Sequence, residues 1–226
     1  MSDAEERAGI RAADPWSDRA EAYRQSAVHA AGDDLDLTVD WCEPGQGVTA
    51  LDVATGGGHV ARRLREAGCT VVTVDSAPGM HPDVIGPAEH LPFADASFDA
   101  VACRLAAHHF ADVVAAVTEM ARVAGGRVVV CDNTFVSESS EEADRVRDPS
   151  HVRNYAVAEW ESFFELAGLE VAGSRHLNRP LEIEPWLERV GCTGEDAARV
   201  RELLGDRVVD GWMPLPTLVI KGVKRA

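Results

Sequence analysis

The stretch Val48-Thr-Ala-Leu-Asp-Val-Ala-Thr-Gly-Gly-Gly-His-Val-Ala-Arg-Arg-Leu64 decides how the rest of the chain is read. Val48 to Ala54 is an apolar run that reads as a buried strand. Gly56, Gly57 and Gly58 follow, and a helical pattern opens at His59 with Val60, Ala61 and Leu64 on one face. A glycine turn between strand and helix lets a ligand approach the backbone, and the first helical N–H groups have no partners within the helix. The pattern points to a polar, nucleotide-like ligand.

Gly56, Gly58 and Ala61 satisfy the dinucleotide fingerprint G-x-G-x-x-G/A, and Asp75 stands about where a ribose-binding acid is expected. Asp52 argues against a dinucleotide. An acid in the strand before the turn repels a pyrophosphate and attracts an ammonium group. S-adenosylmethionine (SAM) has an ammonium and a ribose and no phosphate, so it is favoured over NAD.

These residues resemble the class I SAM-dependent methyltransferases, particularly the type 11 group that includes quinone-biosynthesis enzymes. Asp52-Val-Ala-Thr-Gly56-Gly-Gly58 matches the acid-x-G-x-G-x-G motif with Ala54 in place of the first glycine. Asp75, ending Thr-Val-Val-Thr-Val-Asp, matches the ribose acid, and Ala88 to Val101 matches the adenine loop and fourth strand. The resemblance runs from about Trp16 to Leu169. It implies a doubly wound, Rossmann-like α/β fold of seven strands with an antiparallel last strand, in one domain, with SAM as cofactor.

The resemblance also implies site residues. Asp75 and Ser76 stand at the ribose, Asp52 at the methionine amino end through the loop or a water, and Ala54, Thr55, Gly56, Gly57 and Gly58 around the methionine. Met80 packs on the adenine, Arg104 closes the cofactor-binding set, and Tyr23 either covers the cofactor or packs on the core. Pro87 replaces the acid that usually binds the adenine amino group and offers neither that acceptor nor an N–H. Adenine is then left to the backbone of Ala88 and the side chain of Glu89. His108 and His109 face the methyl group and the acceptor, as general base or hydrogen-bond partner, or else cap the following helix; of the two, His109 is favoured. Asp132 and Asn133 orient a substrate hydroxyl or cap a loop. His151, Arg153 and Tyr155 form a substrate lid or a surface turn.

A length of 226 residues suits one domain with a substantial core. The chain is 46% hydrophobic and 27% charged, as expected of a soluble globular protein. Acids outnumber bases by 38 to 22, and the net charge of -16 argues against nucleic acid as substrate. The first residues lack the basic start and apolar segment of a signal peptide, and no run approaches a membrane span, so a cytoplasmic location is expected. The five cysteines form no C-x-x-C pair and support neither a disulfide framework nor a zinc site.

Residues 1–15 read as disordered, 16–31 as one or two helices, and 177–215 as a helical cap with helices over Pro185 to Val190 and Glu195 to Leu204. The eleven residues Ser76 to Gly86 hold Pro78, Gly79, Pro82 and Gly86, too short and broken for the usual crossover helix. A single turn at Pro78 to His81 and a very short third strand are expected there. That thin cover leaves a homodimer open. Later strands are expected at Phe98 to Arg104, Arg127 to Asp132, Leu169 to His176 and Thr217 to Val223, and Asn133 to His151 reads as a mobile loop or helix. The function expected is methyl transfer to a small quinone-like or secondary-metabolite acceptor. The alternative is a protein of this fold that binds SAM without transferring methyl.

Overall fold

The computed structural model describes residues 15–224. The disorder expected of residues 1–15 concerns, apart from Pro15, residues outside this range. Seven strands form one sheet: β1 Thr49–Val53, β2 Thr70–Asp75, β3 Val84–Ile85, β4 Phe98–Arg104, β5 Ala124–Asn133, β6 Leu169–Glu182 and β7 Trp212–Lys224. Their order is β3-β2-β1-β4-β5-β7-β6, with β1 to β5 parallel and β7 antiparallel to both β5 and β6. This is the doubly wound sheet with an antiparallel last strand that the sequence implies.

Helices cover both faces: α1 Pro15–Arg24, α2 Ala27–Ala30, α3 Asp33–Trp41, α4 His59–Glu66, α5 Val113–Val123, α6 Glu138–Arg147, α7 Val157–Leu166, α8 Ile183–Glu188 and α9 Gly194–Leu204. Strand alternation sorts the core into two layers. Leu51, Val53, Val128 and Val130 pack with Met120 of α5 and with Trp160 and Phe164 of α7. Ala50, Val129 and Cys131 pack with Leu35 of α3 and with Val60 and Leu64 of α4. Burying Phe164 completely contributes about 1.5–3 kcal/mol. A third cluster joins Ala143 of α6, Trp186 and Leu187 of α8, and Val200 and Leu204 of α9. Among the described residues no helix is long and apolar enough to cross a membrane.

Between β2 and β3 the chain makes only the short 3-10 turn Pro78–Met80, so the crossover is abbreviated as expected. Ile85 stands 61% exposed on that edge. Two elements differ from the expectation. Helix α3 is unanticipated; three acids in its first turn favour it, and Leu35 and Val39 anchor it to the sheet. Of the two forms expected for Asn133 to His151, the helical one is found: α6 is started by Ser137, whose hydroxyl accepts the Ser140 N–H. The 177–215 cap is not wholly helical, because β6 and β7 continue as a ribbon in which Leu177 pairs with Thr217 and Leu181 with Met213. Prolines 180, 214 and 216 conceal that ribbon in the sequence, although proline is tolerated at ribbon positions that need no donor.

Candidate active site

The strand order reverses between β1 and β4, and a crevice opens beyond the carboxyl ends of these two strands. Each strand is followed by a left-handed residue, Ala54 at φ 53° and Leu105 at φ 55°, which turns the chain sharply away from the sheet. At Ala54 that conformation costs about 1–2 kcal/mol, which is why a glycine suits this position of the motif. Gly56 at φ 51° and Gly58 at φ 75° complete the turn, and Gly58 caps α4.

A cavity of about 540 Å³ fills the crevice. Ala54, Thr55, Gly56 and Gly57 line one end with Asp52, Asp75, Ser76 and Met80. Asp75 ties the glycine turn to the β2 end, accepting the Gly56 N–H and the Ala77 N–H at 2.9 Å each. Asp52 Oδ2 accepts the Thr55 hydroxyl at 2.6 Å and the Ala61 N–H at 3.1 Å. Burial nevertheless pushes the Asp52 carboxyl up to about 6, and the charge of Asp75 adds to the effect. A cation at this end would relieve it.

Helix α1 forms a wall. Tyr23 and Trp16 line the cavity and pack with Ala20, Ala77 and Met80. Ser17 Oγ accepts the Gly79 N–H at 2.7 Å, and Arg24 donates to the Gly79 carbonyl at 3.1 Å. Gly57 permits the contact on the other side, because a Cβ there would lie 2.7 Å from the Tyr23 carbonyl oxygen. Tyr23 thus both covers the cavity and packs on a small apolar cluster.

His108 and His109 both line the cavity, from the 3-10 turn after β4. Their environments differ. His108 Nδ1 is 2.6 Å from Asp132 Oδ1, and its backbone N–H donates to Asp132 Oδ2 at 2.8 Å. Burial pulls the His108 ring down, but the charge and hydrogen bond of Asp132 outweigh it and the ring lies above its ordinary value. Asp132 is held below its usual range despite burial, because His108 and two backbone N–H groups favour its charge. His109 has no such partner. Its Nδ1 faces the Ser150 carbonyl at 3.1 Å and its ring packs edge-on against Trp16 at 4.6 Å. Burial, with the charge of His108 adding, drives it to about 3. Of the two, His108 is the imidazole backed by a carboxylate, whereas the favoured candidate, His109, is not.

Other expected residues stand elsewhere. Arg104 lines the cavity, but its Nε donates to the fully buried Asp34 at 2.8 Å and one Nη to the His29 carbonyl at 2.9 Å. Ala88 is buried in the core, and Glu89 accepts the Asp112 N–H at 3.3 Å on a different face, so neither lines the cavity. The substrate lid of His151, Arg153 and Tyr155 is corrected too. His151 is buried 3.2 Å from Glu141, Arg153 pairs with Glu159 at 2.9 Å, and Tyr155 packs on Trp160 and Phe163. The local aromatic and charged side chains close their own turn and do not reach the cavity. Instead Arg147, Arg179, Arg189 and Trp186 line it, and Asn133 lines it from β5. The one sequence signal for Arg179 is its spacing of two residues from both Leu177 and Leu181, which puts all three on one face of a strand.

Comparison with known proteins agrees with this geometry. Residues 51–130 match the family model described as "Methyltransferase domain". The chain is 35% identical over 203 residues to the Bacillus subtilis (strain 168) protein described as "Uncharacterized methyltransferase YcgJ", covering 80% of each chain. The crystal structure of YcgJ from Bacillus subtilis superposes with a TM-score of 0.77 at 28% identity, covering 85% of this chain and 98% of that one. A "Demethylmenaquinone methyltransferase" of Mycobacterium sp. (strain KMS) is 41% identical over 98 residues, 39% of this chain and 43% of the relative. The chain belongs to the class I SAM-dependent methyltransferases, in the type 11 group.

Proposed function

We propose that this methyltransferase acts on a small organic acceptor, quinone-like or of the secondary-metabolite kind, with His108 as general base. The observation that carries the reading is the His108–Asp132 pair opening on the same cavity as the glycine turn. The match to a demethylmenaquinone methyltransferase supports a quinone-like acceptor. The net charge of -16 accords with a cytoplasmic enzyme that works without nucleic acid.

The residues at the acidic end fit SAM. When bound, SAM supplies a methyl group on a sulfonium, which leaves as a neutral thioether. Asp75 would hold the ribose hydroxyls, since its carboxylate lines the cavity at the end of β2, tied to the glycine turn. Asp52, short of a positive partner, would attract the ammonium. Ser76 and Met80 remain at the adenine side, and Tyr23 and Trp16 would exclude water. His108 would take the acceptor's proton on its second ring nitrogen while Asp132 holds the first, orienting the ring and stabilising its charged form. Holding the acceptor in line with the methyl supplies much of the remaining rate.

Isothermal titration with SAM and S-adenosylhomocysteine tests the cofactor assignment. Micromolar binding of either is expected, and Asp75→Ala weakens it by about 1.5–3 kcal/mol through loss of hydrogen bonds to a charged group. Unchanged affinity in that variant would remove Asp75 from the site. An acceptor screen that consumes no SAM would favour a binding protein over an enzyme.

A further inference from the structure

The wall of the cavity carries charges of both signs. Asp52 and Asp75 line it beside the glycine turn and Asp34 beside Arg104, whereas Arg147 from the last turn of α6, Arg179 from β6 and Arg189, just after α8, line it from the elements that follow β5. These guanidinium groups are under-compensated. Arg179 Nη1 is 3.6 Å from Asp34 Oδ2, an oxygen already 2.6 Å from an Arg104 nitrogen, and Arg179 Nε is buried without a hydrogen-bond partner. Arg147 gives its Nε to the Trp186 carbonyl at 3.1 Å and lies 4.1 Å over the Trp186 ring. Asp144 and Asp148 add to the field around Arg147 without reaching ion-pair distance. The Arg189 side chain has no hydrogen bond or ion pair among the described residues; only its backbone N–H is engaged, donating to the Pro185 carbonyl at 3.2 Å.

Their surroundings register the excess. Burial brings Arg147 down to about 10, and lowers Arg189 with the charge of Arg179 adding to the effect. His29 lies well below its ordinary value through burial and through Arg189, Arg104 and Arg179. All this sits inside a protein of net charge -16, so the outer surface does not explain it. SAM brings one carboxylate, which can engage one of these groups, and the others still face the space beyond it. Trp186 lines the cavity beside them, buried and with Arg147 over its ring.

Resting on the reading of this cavity as the methyl-transfer site, we propose that the acceptor is an apolar-bodied organic anion whose oxyanion group is held by Arg179 and Arg189. The guanidinium fork suits a carboxylate or a phosphate, because either accepts two parallel N–H bonds.

The test is calorimetric titration of the full chain, saturated with S-adenosylhomocysteine, using 2-naphthoate, 2-naphthyl phosphate and the neutral 2-naphthamide. At least one anion is expected to bind about tenfold or more tightly than the amide, as for a charge-assisted hydrogen bond. The tighter of the two anions identifies the oxyanion. Arg189→Gln, a change at a partly exposed side chain, should erase that preference and leave naphthamide and S-adenosylhomocysteine affinities unchanged. The proposal falls if the three probes bind alike, if neither anion binds, or if the preference survives in Arg189→Gln. It also falls if that variant loses S-adenosylhomocysteine instead, since Arg189 would then serve the cofactor's carboxylate. Failure of the wild type to bind S-adenosylhomocysteine, with the anion preference intact in its absence, would overturn the methyl-transfer reading alone.

Discussion

Asp132 grips His108 at two points, the ring Nδ1 at 2.6 Å and the backbone N–H at 2.8 Å, so one carboxylate sets both the position and the basicity of the imidazole. The pairing crosses from β5 to the turn after β4, and neighbouring His109 lacks it. An imidazole takes a proton only when neutral. Asp132 raises His108 above the ordinary value of about 6.5, so kcat/KM is expected to rise with pH through a midpoint above 6.5 and then level off. Asp132→Asn shifts that midpoint to lower pH and weakens the base. His108→Ala lowers kcat by about 10²- to 10⁴-fold and leaves S-adenosylhomocysteine affinity unchanged. Ring-nitrogen NMR titration gives the same midpoint without an acceptor, and an unmoved midpoint in Asp132→Asn would remove the dyad from the mechanism.

Asp52 carries a second pH dependence, of opposite consequence for fold and ligand. Its folded value of about 6 lies above that of an unfolded carboxylate, so the protonated form suits the ligand-free protein better. That stability is present below about pH 4 and lost as pH rises through 6, costing up to about 3 kcal/mol at pH 8. Asp52→Asn should therefore melt several degrees higher than wild type at pH 8 without ligand, and similarly at pH 4. Its amide oxygen can replace Oδ2, which accepts both local hydrogen bonds. Wild-type affinity for S-adenosylhomocysteine falls by up to about tenfold per unit below pH 6, because binding the ammonium favours ionised Asp52, whereas the variant binds weakly with a flat profile. A flat wild-type profile in calorimetry from pH 4.5 to 8 would contradict this.

Two glycines outside any catalytic role control the α1 wall. A Cβ at Gly57 would stand 2.7 Å from the Tyr23 carbonyl oxygen, and one at Gly79 would stand 2.6 Å from Ser17 Cα. Both contacts are to the α1 backbone, which cannot yield by rotating a side chain. Gly57→Ala and Gly79→Ala are each expected to cost about 1–3 kcal/mol, and to speed tryptic cleavage at Arg24. Gly86→Ala is the control, since nothing lies within 4 Å of its added Cβ and its cleavage rate should match wild type. Equal cleavage in all three variants would mean that α1 is not held by these contacts.

How far the sequence was legible depended on whether the signal was local. The strand, glycine turn and helix around Asp52 and Gly56 carry their own backbone demands, and Asp75 ends an alternating apolar run, so this end of the cavity could be read residue by residue. The broken Ser76 to Gly86 crossover was visible for the same reason. His108 and His109 are adjacent in sequence, and nothing local says which one meets Asp132. Arg153 and Tyr155 looked like a binding cluster because they are chemically rich, yet Glu159 and Trp160, on α7, take them up. Arg179 and Arg189 drew no notice because their cavity exists only once the β6–β7 ribbon and α8 fold over it, with prolines masking the ribbon.

The Asp34–Arg104 pair decides whether Arg104 belongs to the cofactor or to the framework. Asp34 is completely buried, and Arg104 reaches it from the last residue of β4 while also holding the His29 carbonyl, so the pair pins α3 and the end of α2 to the sheet. Removing one member leaves a buried charge uncompensated. Asp34→Ala is thus expected to destabilise the protein by about 3–5 kcal/mol, whereas the double variant Asp34→Leu with Arg104→Met restores most of the loss, because apolar residues of similar volume avoid the desolvation that the ion pair must offset. Arg179, a fifth exposed, can turn to water once Asp34 is gone. Thermal melting separates the variants, and titration with S-adenosylhomocysteine assigns the role. Wild-type affinity in a stable double variant means that Arg104 supports the framework; a tenfold loss at unchanged melting temperature means that it contacts the cofactor, as the family resemblance implies.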